Sequence, residues 1–105
     1  MRRGEVWWAS LPPPSGRRPV VLLSRDAAYT VRNLVLVTPV TTIVRGIPTE
    51  VGLGPEDGRP RVSVANLDVI ITIPKSSLRQ RITGLSVEKV RAIDEAIRFA
   101  LGLEA

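Results

Sequence analysis

The sequence predicts a mostly β protein: a compact, mostly antiparallel β-barrel with one α-helix at its C-terminal end. Six or so short apolar segments are separated by Gly- and Pro-rich turns, as in small all-β folds. After Leu85 the spacing of the apolar residues changes to a helical period. With 105 residues the chain is long enough for one hydrophobic core and too short for two, so we expect a single domain over 1–105.

The first strand is predicted from Gly4 to Leu11. It ends at the loop Pro12–Gly16, because proline cannot donate to a strand ladder. Trp7 and Trp8 are adjacent in this strand, so their side chains point to opposite faces. One of them is expected in the core, and the other on a second surface, either packed against a partner or available to stack on a base.

The second strand follows two arginines, Arg17 and Arg18. Val20–Leu23 are four consecutive aliphatic residues, which is typical of a strand buried on both faces, although periodicity alone also allows a short helix. Pro19 favours the strand, because proline is tolerated at a strand's first residue and holds the preceding residue extended. Arg18 is therefore expected where a loop meets a rigid element, a common place for a functional residue.

The middle of the chain predicts further short elements after a polar connection. Leu34–Thr38 is a second strand of the two-face-buried type, and Pro39 is expected to end it. Three of the strands are nearly continuously apolar, and their apolar surface is larger than one helix can cover. A second subunit in a two-fold homodimer is therefore expected to bury part of the remaining face. The other elements are strands at Thr49–Leu53, Arg61–Ala65 and Val69–Ile73, a helical turn at 74–78 and a last strand at Arg79–Gly84.

The C-terminal helix is predicted from Val87 to about Leu101. Ser86 has the properties of an N-cap, and Gly102 is placed to end the helix. One face of the helix is apolar, and the opposite face is charged. The apolar residues recur at helical spacing, at Val90, Ile93, Ile97, Ala100 and Leu101. The charged face is expected to be exposed to solvent, so no function is assigned to it.

The composition restricts the chemistry. The chain has no Cys and no His, so neither a transition-metal site nor thiolate chemistry is expected, and no cofactor is predicted. Acid or base chemistry must use Arg, Lys, Tyr, hydroxyls or carboxylates. No apolar run approaches the about 18 residues of a membrane span, and no apolar signal segment follows Arg2 and Arg3, so a cytoplasmic protein without a membrane partner is expected.

The formal net charge is +5 and is unevenly distributed. Residues up to Arg81 include twelve basic and six acidic side chains, whereas the chain from Ile82 onward has three basic and four acidic ones. Thirteen of the fifteen basic residues are Arg, which favours bidentate contacts to phosphate or carboxylate. A polyanionic partner is therefore expected, although a GC-rich genome alone also produces an Arg-rich composition.

An ordered set of motifs resembles the MazF/PemK family of toxin endoribonucleases, and it spans nearly the whole chain. The motifs are Arg3–Trp8 before a Pro-containing loop, Arg18–Val21, Thr38–Thr42 and the ending Ile97–Leu103. Two segments depart from the family pattern. Pro12–Arg17 lacks the acidic and amide residues of the family's longer loop, and Asp68–Ile71 lacks the Gln and Arg of a late-barrel motif. Both departures bear on the recognition sequence and on efficiency.

The resemblance implies a homodimeric SH3-like barrel of the PemK/CcdB type that cleaves single-stranded RNA, usually messenger RNA, at short sequences without a metal. It also implies neutralisation by a MazE-type antitoxin, whose acidic, flexible tail occupies the RNA groove. The family's catalytic Arg and Thr correspond to Arg18 and Thr41. Arg17, Ser24, Thr42, Arg45 and Asn66 are further candidates for contacts to phosphates or base edges, although capping a turn is an equal alternative for Asn66.

Cleavage without a metal proceeds by attack of the 2′-hydroxyl on the adjacent phosphate, which yields a 2′,3′-cyclic phosphate and a 5′-hydroxyl end. Arg18 is expected to stabilise the developing charge, and one preorganised donor contributes on the order of 3 kcal/mol. Thr41 is expected to donate a hydrogen bond to a non-bridging oxygen or a proton to the leaving 5′-oxygen. Because a guanidinium with a pKa above about 12 is rarely neutral, proton abstraction by Arg18 is the secondary hypothesis.

Two alternative functions are compatible with the sequence. A non-catalytic nucleic-acid-binding barrel would keep the basic face but would not need the hydroxyl of Thr41. A gyrase-directed toxin on the related barrel would act through an exposed helix end, and the apolar content of 99–105 is the only feature that favours it.

Overall fold

The computed structural model describes residues 1–103 as a curled antiparallel sheet of seven strands with a long helix packed against it. Two single-turn 3-10 helices, Pro55–Asp57 and Lys75–Ser77, lie in the connections. The strands are β1 (Glu5–Ser10), β2 (Arg17–Leu22), β3 (Leu34–Thr41), β4 (Glu50–Leu53), β5 (Ser63–Asn66), β6 (Ile71–Pro74) and β7 (Leu78–Gly84), and the helices are α1 (Ala28–Val31) and α2 (Val87–Leu101).

The sheet curls into a half-barrel. Its strand order is β4-β5-β3-β2-β1-β7, with β6 paired to β3 in addition. Within the described chain β4 and β7 form the two ends of this path, and the barrel is closed only in part. The expected class, mostly β and antiparallel with a C-terminal helix, is confirmed.

Strand β2 is buried on both faces, as predicted. Val20 and Leu22 belong to one hydrophobic cluster, while Val21 belongs to a second cluster that includes Ile93 of α2. The strand begins at Arg17, earlier than the sequence pattern indicated, and Arg18 is already paired with Ala9 of β1. A sheet position restricts the backbone of Arg18 more than a loop would.

Strand β3 differs from the prediction, because Pro39 does not end it. The strand pairs with β6 over Leu34–Val37 and with β5 over Val40–Thr41. Pro39 lies between these two partners, so its missing N–H removes no ladder hydrogen bond on that edge. The continuation through Pro39 carries Thr41 to the end of a rigid strand.

The first half of β3 is also not buried on both faces. Val35 and Val37 lie in the core, but Leu34 and Leu36 are 55% and 44% exposed in the single chain. Alternation of this kind is typical of a strand with one uncovered face. A pair of exposed leucines in a regular strand is an informative surface feature, in contrast to a single exposed apolar residue.

Helix α2 has the predicted bounds, because its signals are local. The side chain of Ser86 accepts a hydrogen bond from the backbone N–H of Lys89, and Gly102 ends the helix at a φ of 69°. Ile93 and Ala96 are the buried contacts of the helix with the sheet. No helix within residues 1–103 has both the length and the apolarity needed to cross a membrane.

Candidate functional site

Two adjacent cavities open on one face of the half-barrel, and both are lined by Arg18 of β2 and Thr41 of β3. The first, of about 280 Å³, we call the tryptophan cavity, because Trp8 lines it together with Arg17 and Arg59. The second, of about 240 Å³, we call the asparagine cavity; its other lining residues are Ser15, Pro39, Ile43, Arg45, Asn66 and Val69. Arg18 and Thr41 therefore form the wall that the two cavities share.

Thr41 has a hydroxyl prepared to donate. Its Oγ1 accepts a hydrogen bond from the backbone N–H of Ile43 at 3.1 Å. This contact uses an oxygen lone pair and leaves the hydroxyl proton available. Thr41 is half-buried, so a ligand bound at the shared wall can accept a hydrogen bond from this hydroxyl while the chain stays folded.

Trp8 forms a platform for two guanidiniums in the tryptophan cavity. The Cζ atom of Arg17 lies 4.4 Å from the centroid of the Trp8 ring, and that of Arg59 lies 5.3 Å from it. Trp7 points away and packs against the Val20 and Leu22 cluster. The predicted division of the two tryptophans between opposite faces is thus confirmed, and Trp8 is the one at the cavity.

Arg59 is a cavity residue that the sequence analysis did not single out. It follows Asp57-Gly58, a typical turn dipeptide, and Gly58 has a φ of 76°, which glycine adopts readily. The turn brings Arg59 back over Trp8. No local pattern indicates that contact, because it joins a loop to β1 across the fold.

The asparagine cavity contains Asn66 and Arg45. The Oδ1 of Asn66 accepts hydrogen bonds from the Thr49 hydroxyl and from the backbone N–H of Asp68, each at 3.0 Å. Asn66 therefore stabilises its turn and also lines the cavity. Within the part of the chain that the structure describes, its Nδ2 donates no hydrogen bond, so this group is available to an acceptor.

The loop after β3 is folded around the carboxylate of Glu50. That carboxylate accepts hydrogen bonds from the backbone N–H groups of Arg45 at 3.1 Å, Gly46 at 2.8 Å and Ile47 at 3.5 Å. Desolvation raises the pKa of Glu50, but the backbone donors and the charge of Arg45 outweigh it, and the net pKa lies below the ordinary value. Glu50 thereby fixes the backbone from which Arg45 reaches the cavity.

Ser24 and Thr42 occupy different surroundings. Ser24 is buried and lines neither cavity; its hydroxyl accepts a hydrogen bond from the backbone N–H of Leu36 at 2.8 Å. The structure thus gives Ser24 a role in the fold and does not bring it to the other candidates. Thr42 is exposed and lines the tryptophan cavity beside Thr41.

The charged residues that line the two cavities are all arginines. Among residues 1–103 no carboxylate forms a salt bridge with Arg17, Arg18 or Arg59, and no acidic side chain lines either cavity. The salt bridges of the described chain lie elsewhere, at Arg3–Asp94, Arg81–Glu5 and Lys89–Asp57. Unneutralised guanidiniums around one concave surface favour an anionic ligand.

Comparison with known proteins gives consistent results. A family model described as "PemK-like, MazF-like toxin of type II toxin-antitoxin system" matches residues 2–101. Among curated proteins, the chain is 44% identical to "Probable endoribonuclease MazF5" of Mycobacterium tuberculosis over 94% of this chain and 91% of that protein. It is 37% identical to "Probable endoribonuclease MazF2" of the same species over 97% of this chain and 99% of that protein.

Solved structures agree with the curated relatives. The fold is similar to "Mycobacterium tuberculosis toxin MazF-mt6", with a TM-score of 0.88, 34% identity and coverage of 96% of this chain and 99% of that chain. It is also similar to "Endoribonuclease in complex with its cognate antitoxin from Mycobacterial species", with a TM-score of 0.88, 30% identity and coverage of 100% and 98%.

Proposed function

The chain belongs to the PemK-like, MazF-like toxin family of type II toxin-antitoxin systems, and from that membership we propose how this toxin endoribonuclease works. It cleaves single-stranded RNA, with messenger RNA as the expected substrate, at short sequences and without a metal. The observation that carries the proposal is the shared wall of Arg18 and Thr41 between two cavities without acidic residues. In the proposal, the two nucleosides that flank a phosphodiester on that wall occupy the two cavities.

In the proposed reaction the 2′-oxygen of the nucleotide before the cut attacks its own phosphorus. The 2′-proton passes to solvent water or, in the secondary hypothesis, to Arg18; the bond from phosphorus to the 5′-oxygen breaks; and that oxygen takes a proton from Thr41, which solvent water then replaces. The products are a 2′,3′-cyclic phosphate and a 5′-hydroxyl end. No redox partner or metal is needed, so the residues must act through charge and proton placement.

Arg18 is the proposed electrostatic stabiliser. Its guanidinium can donate two hydrogen bonds to the non-bridging oxygens while negative charge accumulates on the phosphorane. Its place in β2 supports this role, because a donor on a sheet needs little reorganisation during the reaction. A guanidinium is rarely neutral, so proton abstraction by Arg18 is the weaker hypothesis.

Thr41 is the proposed proton donor. The hydrogen bond from Ile43 orients the hydroxyl oxygen, so the free proton of Thr41 can be directed to a non-bridging oxygen or to the leaving 5′-oxygen. Arg17, Thr42, Arg45 and Asn66 are proposed contacts to flanking nucleotides. They line the two cavities on either side of the catalytic pair.

We also propose that the functional unit is a homodimer. Each copy is a single toxin domain over 1–105, of which residues 104–105 lie outside the described part. The exposed Leu34 and Leu36 support a second copy on that face of β3. A MazE-type antitoxin with an acidic, flexible tail would neutralise the guanidiniums at the cavities. The proposed substrate places the protein in the cytoplasm.

The test is incubation of the purified protein with a long RNA in the presence of EDTA, followed by mapping of the cut ends. We expect discrete cuts with cyclic-phosphate ends that disappear in Arg18→Ala and in Thr41→Ala. RNA that is bound but remains intact would refute cleavage and would favour a nucleic-acid-binding barrel. Cleavage only without EDTA would refute the metal-independent mechanism.

A further inference from the structure

We propose that Arg59 is an RNA-binding residue that holds a phosphate next to the scissile one, with Trp8 as its support. This inference rests on the proposed function and extends it to a residue outside the Arg18 and Thr41 pair. The observations that carry it are the place of this one side chain in the cavity lining, its position over the Trp8 ring and its unused donors.

The guanidinium of Arg59 has an unsatisfied donor. Its Nε is buried and has no hydrogen-bond acceptor within residues 1–103. A buried donor on a charged group without an acceptor is costly, because the group has lost water and gained nothing in exchange. Neither Nη of Arg59 is among these buried atoms or donates a hydrogen bond within residues 1–103, so both can reach a ligand oxygen in the tryptophan cavity, which Arg59 lines.

The backbone holds Arg59 in this position. Its N–H donates a hydrogen bond to the carbonyl of Gly54 at 3.0 Å, which closes the turn. Asp57 in the same turn is buried, accepts from the N–H of Gly54 at 3.0 Å and lies 3.6 Å from the Nζ of Lys89. The loop is therefore anchored to α2, and its placement of Arg59 over the Trp8 ring does not depend on ligand.

The charge of the cavity indicates more than one phosphate. Arg17, Arg18 and Arg59 line it together, and no carboxylate among the described residues neutralises them. Arg18 is assigned to the scissile phosphate. The remaining two cations, Arg17 and Arg59, repel each other, and the binding of further anions would offset this repulsion. Consecutive phosphates of one RNA strand supply such anions at a fixed spacing.

The chain offers a matched control in Arg61. It lies two residues after Arg59, is exposed, carries the same charge and lines neither cavity. The probe is a single-stranded RNA containing a mapped cut site, with a 2′-deoxy nucleotide there to prevent cleavage. Its binding constant is measured for wild type, Arg59→Ala and Arg61→Ala between about 50 and 200 mM salt.

We expect Arg59→Ala to weaken binding several-fold at low salt and to reduce the slope of log K against log salt by about 0.7, the value for one phosphate contact on a single strand. Arg61→Ala should leave both quantities close to wild type. Arg59→Lys should restore the slope but only part of the affinity, since it keeps the charge and lacks the planar guanidinium. Thermal unfolding of each variant checks the fold; if Arg59→Ala is unfolded, Arg59→Lys and Arg59→Gln take its place.

Equal slopes for Arg59→Ala and Arg61→Ala, with the wild type still cleaving, would overturn this inference and leave the proposed function intact. An Arg59→Ala protein that binds RNA normally but loses affinity for an Asp- and Glu-rich peptide would also overturn it, and would assign the residue to an acidic polypeptide. A wild type that neither binds nor cleaves RNA would refute the proposed function and this inference together.

Discussion

Arg18 and Thr41 come from neighbouring strands and line the same two cavities. β2 and β3 are paired directly, through Val20–Pro39, Val21–Thr38 and Leu22–Val37, so the ladder sets the separation of the two site residues. A guanidinium and a hydroxyl on adjacent rigid strands form a preorganised pair of donors. Preorganised donors directed at developing charge are the largest single contribution in many enzymes.

Thr41→Val tests the hydroxyl of the pair. Val retains the β-branched shape that suits the strand and loses the donor, so we expect kcat/KM to fall by about 10²–10³, as for loss of one preorganised donor. Thr41→Ser keeps a hydroxyl and should retain most of the activity. Steady-state cleavage of a defined RNA measures both, with Thr30→Val in α1 as the control. Equal loss in the Ser and Val variants would mean that the hydroxyl is not the active group.

Arg18→Lys separates charge from geometry. Lys keeps a positive charge but cannot donate two parallel hydrogen bonds, so we expect most of the rate to be lost while RNA is still bound. The dissociation constant of a non-cleavable RNA and the single-turnover rate of a cleavable one provide the two measurements. A proportional loss of both would indicate that Arg18 acts only in binding.

Glu50→Gln tests the loop that carries Arg45. The backbone N–H groups around this carboxylate lower its pKa, so the ionised form is bound more strongly in the folded loop. The contribution is therefore fully present above the ordinary Glu pKa and is lost as the pH falls through the lowered value. We expect KM for RNA to rise several-fold near neutral pH with little change in kcat.

The pH dependence of binding supplies the control for Glu50. The affinity ratio of wild type to Glu50→Gln should be constant near neutrality and approach one in acid, where wild-type Glu50 is also protonated. Glu95→Gln, an exposed carboxylate on α2, should match wild type throughout. A ratio that does not change with pH would show that the charge of Glu50 has no part in positioning the loop.

Leu36→Lys tests the proposed subunit contact. Leu36 is 44% exposed in the single chain, and a charge in a dimer interface would have to be desolvated. We expect sedimentation equilibrium to give twice the chain mass of 11.5 kDa for wild type and a large shift to monomer for the variant. Val87→Lys, at an exposed position on α2, should remain dimeric. A monomeric wild type would refute the dimer.

The sequence predicted best those features that depend on neighbours in the chain. The caps of α2 are such features: Ser86 binds the N–H of a residue three positions later, and Gly102 needs only its own φ. The aliphatic run of β2 required burial on both faces, and the curled sheet provides it. Arg18 and Thr41 were identified by resemblance, and their position between two cavities was not visible in the sequence.

What the sequence did not predict depends on contacts between distant segments. Arg59 reaches the site because its turn folds over Trp8, and no pattern within the loop signals that contact. Ser24 is not at the site, because its hydroxyl accepts a hydrogen bond from the backbone N–H of Leu36, twelve residues later in the chain. Pro39 continues β3 because its strand changes partners there, which depends on sheet topology and not on the proline itself.

The most direct measurement of the proposed mechanism uses an RNA with one 2′-deoxy nucleotide immediately before a mapped cut. The mechanism predicts that cleavage at that bond disappears while binding and cleavage at a second, unmodified site continue at the wild-type rate. Cleavage of the modified bond at an unchanged rate would contradict attack by the 2′-hydroxyl, and with it the roles of Arg18 and Thr41 in stabilising a cyclising phosphorane.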